Sequence, residues 1–191
     1  MRAARWAVSR PPIALALIWL ALLLLMVPTL RAPLFENHSW RQADTASFAR
    51  GLARGEFDLL HPRFLAVYPD GYGLEGATES ECNLYPWLVS LAMRVLGEWV
   101  WVARAVSMVL ALLAATWAYL LGRLLLDDTA ALLGGLCMAL SPLYAFYGRS
   151  VQPDIAALAL ALGGLYAFVR WTRSERWGWY ALSLVLVALA L

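Results

Sequence analysis

The sequence predicts an all-α, polytopic transmembrane helix bundle with a large first extracytoplasmic loop that carries interfacial helices. Three observations predict it. Apolar residues make up 62% of the chain and charged ones 15%, and the mean hydropathy is +0.65; a soluble globular domain has nearer half and a quarter. Apolar runs of membrane-spanning length recur along the chain. Between the first run and the others lies a polar stretch, Arg31 to Tyr85, that gathers Glu36, Asp44, Glu56, Asp58, Asp70, Glu75, Glu79 and Glu81.

Crossing a bilayer takes about 20 helical residues at 1.5 Å rise. The first span is expected over about 12–30, around the unbroken apolar run Ile13 to Val27. It has a basic start but no small-residue cleavage site before Pro28 and Arg31, so it reads as a retained anchor rather than a removed leader. The outer loop is expected over 31–98. Further spans are expected over 99–126, 130–147, 153–170 and 177–191. The last stops at Leu191 without a polar cap or flanking charge, so residues 1–191 are read as the N-terminal portion of one transmembrane domain.

Arginine sets the expected orientation, because the chain has no lysine. Arg2, Arg5 and Arg10 precede the first span, Arg123 ends the second, and Arg170, Arg173 and Arg176 lie between the fourth and fifth. The positive-inside rule puts all three groups in the cytoplasm. The loop then lies outside, with Glu98 added to its eight acids and only Arg31, Arg41, Arg50, Arg54, Arg63 and Arg94 against them.

Two helices are expected in the loop. Ser39 and Gln42 have capping-box spacing, which predicts a helix from about Trp40 to Ala53 ended by Gly55. On it Trp40, Asp44 and Phe48 share a face, and Arg41 can pair with Asp44 three residues on. Leu84 to Leu96 is too short to cross; Leu84, Trp87, Leu88, Leu91 and Val95 recur at helical spacing, the pattern of an amphipathic helix lying in the interface.

Cys82 and Cys137, like His38 and His61, fall in no metal-type spacing. Glu81 precedes the second loop helix, where the positive end of the helix favours an acid. Between the third and fourth spans, Arg149, Gln152 and Asp154 cluster around Pro153. Asp154 suits the first turn of a helix, and an acid at the head of a span is also a functional-site candidate. Asp127 and Asp128 read as solvated loop acids. There is no Walker A motif, and no soluble-nucleotide site is legible. Chemistry at the outer surface would need a lipid-borne substrate.

The segments Ser39-Trp40-Arg41-Gln42-Ala43-Asp44-Thr45-Ala46, Glu81 through Pro86, Ala103-Arg104-Ala105-Val106-Ser107, Ser141-Pro142-Leu143 and Arg149 through Asp154 carry a resemblance. In this order they resemble the polyprenyl-phosphate-dependent glycosyltransferases of the GT-C fold. That group includes protein O-mannosyltransferases and the transferases that add aminoarabinose or galacturonic acid to lipid A. The match is nearest to the bacterial dolichyl-phosphate-mannose-transferase-like branch.

The resemblance implies a sugar donor carried on a polyprenyl phosphate and an acceptor hydroxyl on a lipid, glycan or protein. It also implies inversion at the anomeric carbon and a place in the bacterial inner (plasma) membrane; no nucleic acid is involved. The catalytic base is expected to be an acid of the first outer loop. In many such enzymes it belongs to an Asp-Glu pair just before the loop helix. Here Arg41-Gln42 stand in that place and Asp44 follows one turn later, which leaves Asp44 and Glu36 as catalytic candidates. Arg41, Glu81, Arg149, Gln152 and Asp154 are the substrate-binding candidates, Arg149 being suited to the leaving phosphate. Some relatives use a divalent metal, which Asp44 and Glu81 could ligate; no other cofactor is implied.

Two rival classes remain at this level. One is a transporter or channel subunit with Asp154 and Arg104 along its pathway, and the other is a non-catalytic membrane scaffold.

Overall fold

The computed structural model describes residues 11–34, 38–55 and 84–191, with the backbone of 66–67 and 73–74. Its helices are α1 (Pro11–Met26), α2 (Ser39–Arg54), α3 (Leu84–Leu96), α4 (Val100–Leu125), α5 (Asp128–Leu140), α6 (Pro142–Arg149), α7 (Asp154–Ser174) and α8 (Trp177–Ala190). Between α2 and α3 a two-residue antiparallel pairing joins Ala66 to Leu74 and Val67 to Gly73. The architecture is an all-α membrane helix bundle. Pro11–Thr29, Val100–Leu125 and Asp154–Ser174 are each long and apolar enough to cross a bilayer.

α1 is apolar on every side, as lipid contact requires. Only Ala14, Ile18, Leu22 and Met26, one residue per turn, are buried against the bundle. α4 is the central helix. Its buried face is lined by Ala103, Ser107, Ala111, Ala114 and Ala115, and small residues let helix backbones approach closely in lipid. α7 does the same with Ala156, Ala159, Gly163, Gly164 and Ala167. A Cβ on Gly164 would stand 2.7 Å from Cγ2 of Val187 on α8, so only glycine permits this approach.

The segment expected to span over 130–147 consists of two helices. α5 and α6 meet at Ser141 with a bend of 65°. Pro142 has no N–H to continue the ladder and disfavours helical geometry in the residue before it. Ser141 is accordingly extended, at ψ 123°, and caps the restarted helix. The pair counts as a fourth span only if taken as one bent unit. α8, at 14 residues, is apolar but shorter than a span requires. Asp127 and Asp128 are not merely solvated: Asp127 accepts the N–H groups of Thr129 and Ala130 at the start of α5, and Asp128 pairs with Arg123 at 2.6 Å.

In the loop, α2 forms where expected, and Gly55 ends it in the left-handed conformation at φ 78°. The capping box does not form. His38 takes the cap position without a side-chain hydrogen bond, Ser39 is already helical, and Gln42 is turned into the protein. The packed face of α2 is Gln42, Ala46, Ala49 and Leu52; Trp40 is 69% exposed, pointing away from the bundle. α3 spans Leu84–Leu96 as expected. Its protein-facing stripe is Tyr85, Val89 and Met93, while Trp87, Leu91 and Val95 of the stripe read from sequence face outward. Arg94 of α3 donates to the carbonyls of Leu52 and Ala53, satisfying the end of α2. Arg54 grips Glu98 through a two-nitrogen fork, with its shortest contact 2.6 Å.

Candidate functional site at the Arg41–Asp154 cavity

The residues before α7 form the short linker 150–153, and side chains from three helices hold it. The Val151 N–H donates to Oε1 of Gln42 on α2 at 3.2 Å. Ser107 on α4 donates to the Ser150 carbonyl at 2.7 Å, and the hydroxyl of Tyr85 on α3 lies 2.6 Å from Ser107 Oγ. Ser107 has one proton and gives it to a carbonyl, so Tyr85 is the donor in that pair. Burial pushes the Tyr85 phenol up, against smaller opposing effects from Ser107 and Arg104, which keeps the proton in place. Neutral hydrogen bonds of this kind contribute about 0.5–1.5 kcal/mol each, and a lost partner costs more. Together they set the head of α7, and with it Asp154.

Arg104 has a different task from the one a transport pathway would give it. It is wholly buried in α4 and donates to the carbonyls of Thr29 at 3.2 Å and Pro33 at 3.1 Å. These bonds tie down the segment where the chain leaves α1 for the loop.

A cavity of about 250 Å³ opens where α2, α3 and the head of α7 meet the end of α8. Arg41, Tyr85, Pro153 and Asp154 line its polar part, and Leu84, Leu160 and Leu189 are among its apolar walls. The sequence-level pairing of Arg41 with Asp44 is corrected here. The guanidinium turns across to Asp154, with Nη2 3.9 Å from Oδ2. That is longer than a hydrogen bond, and among the described residues Asp154 Oδ2 accepts none. The two side chains are 32% and 39% exposed, and such a pair contributes no more than about 1 kcal/mol. Asp154 also lines a second cavity, of about 270 Å³, with Ser141, Leu143, Tyr144, Tyr147, Ile155 and Leu158. One carboxylate thus borders both cavities, the first with Arg41 also in its wall.

The other sequence candidates are distributed unevenly. Asp44 lies one turn beyond Arg41, is partly buried and does not line either cavity; burial raises its carboxyl above the usual range. Arg149 lies with its guanidinium 5.8 Å from the Phe146 ring centre. Gln152 is buried, and among the described residues neither end of its carboxamide makes a hydrogen bond. Glu36 and Glu81 lie outside the described residues. Among the described residues no group of three or more His, Cys, Asp or Glu could hold a metal ion. Sequence reasoning passed over Gln42 and Tyr85 as positioning groups. A polar residue between Arg41 and Ala43 on an otherwise small-residue face was the only signal for Gln42.

Apolar spans and short helices packed across one end define a multi-pass membrane protein with a pocket that carries Arg41 and Asp154 beside its loop helices. The dolichyl-phosphate-mannose-protein mannosyltransferase family matches the chain over residues 81–191. The chain belongs to that family and is a membrane glycosyltransferase of mannosyltransferase-like type. The matched stretch carries α3 to α8, with Tyr85, Arg104, Ser107, Arg149, Gln152 and Asp154; α2, with Arg41 and Asp44, precedes it. No curated protein and no solved structure matches the chain.

Proposed function

We propose that this protein transfers a sugar from a polyprenyl-phosphate donor to an acceptor hydroxyl at the extracytoplasmic face of the bacterial plasma membrane, with inversion at the anomeric carbon. The observation that carries the reading is the cavity in which Arg41 and Asp154 converge without a hydrogen bond between them. A phosphodiester entering it gives Arg41 a better partner than Asp154, because guanidinium binds phosphate through two parallel charge-assisted bonds. Asp154 is then released with an oxygen free to accept a proton.

The chemistry follows as a single displacement. The acceptor oxygen attacks C1 of the sugar as the C1–O bond to the phosphate breaks. The bonding pair leaves with the polyprenyl phosphate, whose charge Arg41 stabilises, and the hydroxyl proton passes to a carboxylate within about 2.6–3.2 Å. Asp154 is the carboxylate that borders the cavity; Asp44 and Glu36 are the loop acids that could serve instead. The apolar cavity on the other side of Asp154 suits the first prenyl units of the donor. Arg149 and Glu81 are assigned to the phosphate and sugar, and Gln152 to a sugar hydroxyl. A divalent metal on Asp44 and Glu81 is compatible with this scheme, but no step depends on it.

The test uses the purified protein in bilayers with a polyprenyl-phosphate sugar as donor. Release of polyprenyl phosphate coupled to labelling of an acceptor is expected, and a nucleotide sugar should not substitute. Asp154→Asn, Asp44→Asn and Glu36→Gln then identify the base: its loss should slow turnover roughly 10²–10⁴-fold, while the other two stay near parent. Solute movement across the bilayer without donor turnover would replace the enzyme by a transporter.

A further inference from the structure

The end of the bundle opposite the cavity holds a second cluster that sugar transfer does not use. Arg170 and Arg173 lie near the C-terminal end of α7, and Arg176 stands just before α8 without a side-chain cap hydrogen bond. Among the described residues none of the three makes an ion pair. The nearby described acids are otherwise engaged or exposed: Asp128 with Arg123, Asp127 as a helix cap, and Glu175 in the turn. Arg173 donates to the Leu124 carbonyl, which leaves its charge uncompensated. The Arg170 guanidinium sits 5.4 Å from the Trp179 ring centre, and its Nε is buried with no acceptor.

Aromatic rings frame these charges. Trp171 packs on Tyr180 at 4.8 Å and on Trp177 at 6.1 Å, and Trp177 is 72% exposed. Indole rings favour the level of the lipid headgroups, where one edge is apolar and the other wet. Guanidinium groups held there without a carboxylate present their N–H edges to whatever anion occupies that level.

We propose that Arg170, Arg173 and Arg176, framed by Trp171, Trp177 and Trp179, form a binding surface for the headgroup of an anionic phospholipid. The aromatic frame selects a lipid over a free anion, since only a membrane-bound phosphate arrives at the depth the rings mark. Each arginine near an anionic surface is worth on the order of five-fold in affinity, so the three together are worth on the order of 100-fold.

The experiment places the protein in phosphatidylcholine discs containing a minor fraction of phosphatidylglycerol and counts the lipids that stay bound after extraction, by native mass spectrometry. The parent should retain phosphatidylglycerol selectively. The triple variant Arg170→Gln, Arg173→Gln, Arg176→Gln should retain on the order of 100-fold less, and the triple Lys variant should keep most of it. Should the triple Gln variant not fold, Arg176→Gln alone, at an exposed side chain, should weaken retention about five-fold. The proposal is overturned if the Gln variants retain phosphatidylglycerol like the parent or if phosphatidylcholine is held equally well. It also fails if inorganic phosphate competes as effectively as the lipid.

Discussion

Gln42 shows how much one polar residue can set at a membrane surface. Its carboxamide is fully buried and receives the Val151 N–H, so it fixes the linker that presents Asp154 although it stands far from it in sequence. Replacing it with leucine keeps the volume but leaves that buried N–H without an acceptor, a cost of about 1–3 kcal/mol. Thermal unfolding of Gln42→Leu in detergent should show that loss. Gln42→Glu keeps an acceptor and should recover part of it in acid, where the buried carboxyl is neutral. Unchanged stability in both variants would mean that the bond holds nothing in place. The spacing of Ser39 and Gln42 concealed this role, because the same residues spell a helix start and only the tertiary fold decides which bond Gln42 makes.

At the scale of elements, the two loop helices are joined where Arg54 meets Glu98 and Arg94 meets the end of α2. The hydrogen bond from Arg54 holds the Glu98 carboxyl below its usual value, with smaller help from the charges of Arg54 and Arg50. A depressed carboxylate stabilises the fold above its unfolded pKa, and that contribution disappears as pH falls through the folded value. Glu98→Gln should therefore lower the unfolding temperature at neutral pH and match the parent in acid; a constant difference across pH would point to packing rather than charge.

Much at this scale was legible in the sequence. Apolar runs, the left-handed Gly55 and the 13-residue length of α3 mark helices with little ambiguity. The bend at Ser141 was less so, since Pro142 sits inside a run whose composition alone reads as one span. Which face of α3 packs inward was also hidden, because both faces are apolar: one meets lipid and the other protein.

For the molecule as a whole, composition was enough to identify a polytopic helix bundle, because no soluble fold tolerates such apolar surfaces. The site was only half legible. Asp154 and Arg41 each stood out by charge, but their meeting depends on α2 folding back over the head of α7, a long-range contact that no local pattern encodes. The central claim is that these two residues divide the work of sugar transfer, Arg41 holding the donor phosphate and Asp154 taking the acceptor proton. The most direct measurement is the steady-state rate against donor concentration for Arg41→Gln and Asp154→Asn, each checked for intact membrane insertion. Arg41→Gln should raise KM for the polyprenyl-phosphate sugar and also slow departure of the phosphate. Asp154→Asn should lower kcat roughly 10²–10⁴-fold with KM little changed. Parent-like kcat in Asp154→Asn, or an unaltered donor KM in Arg41→Gln, would contradict the account.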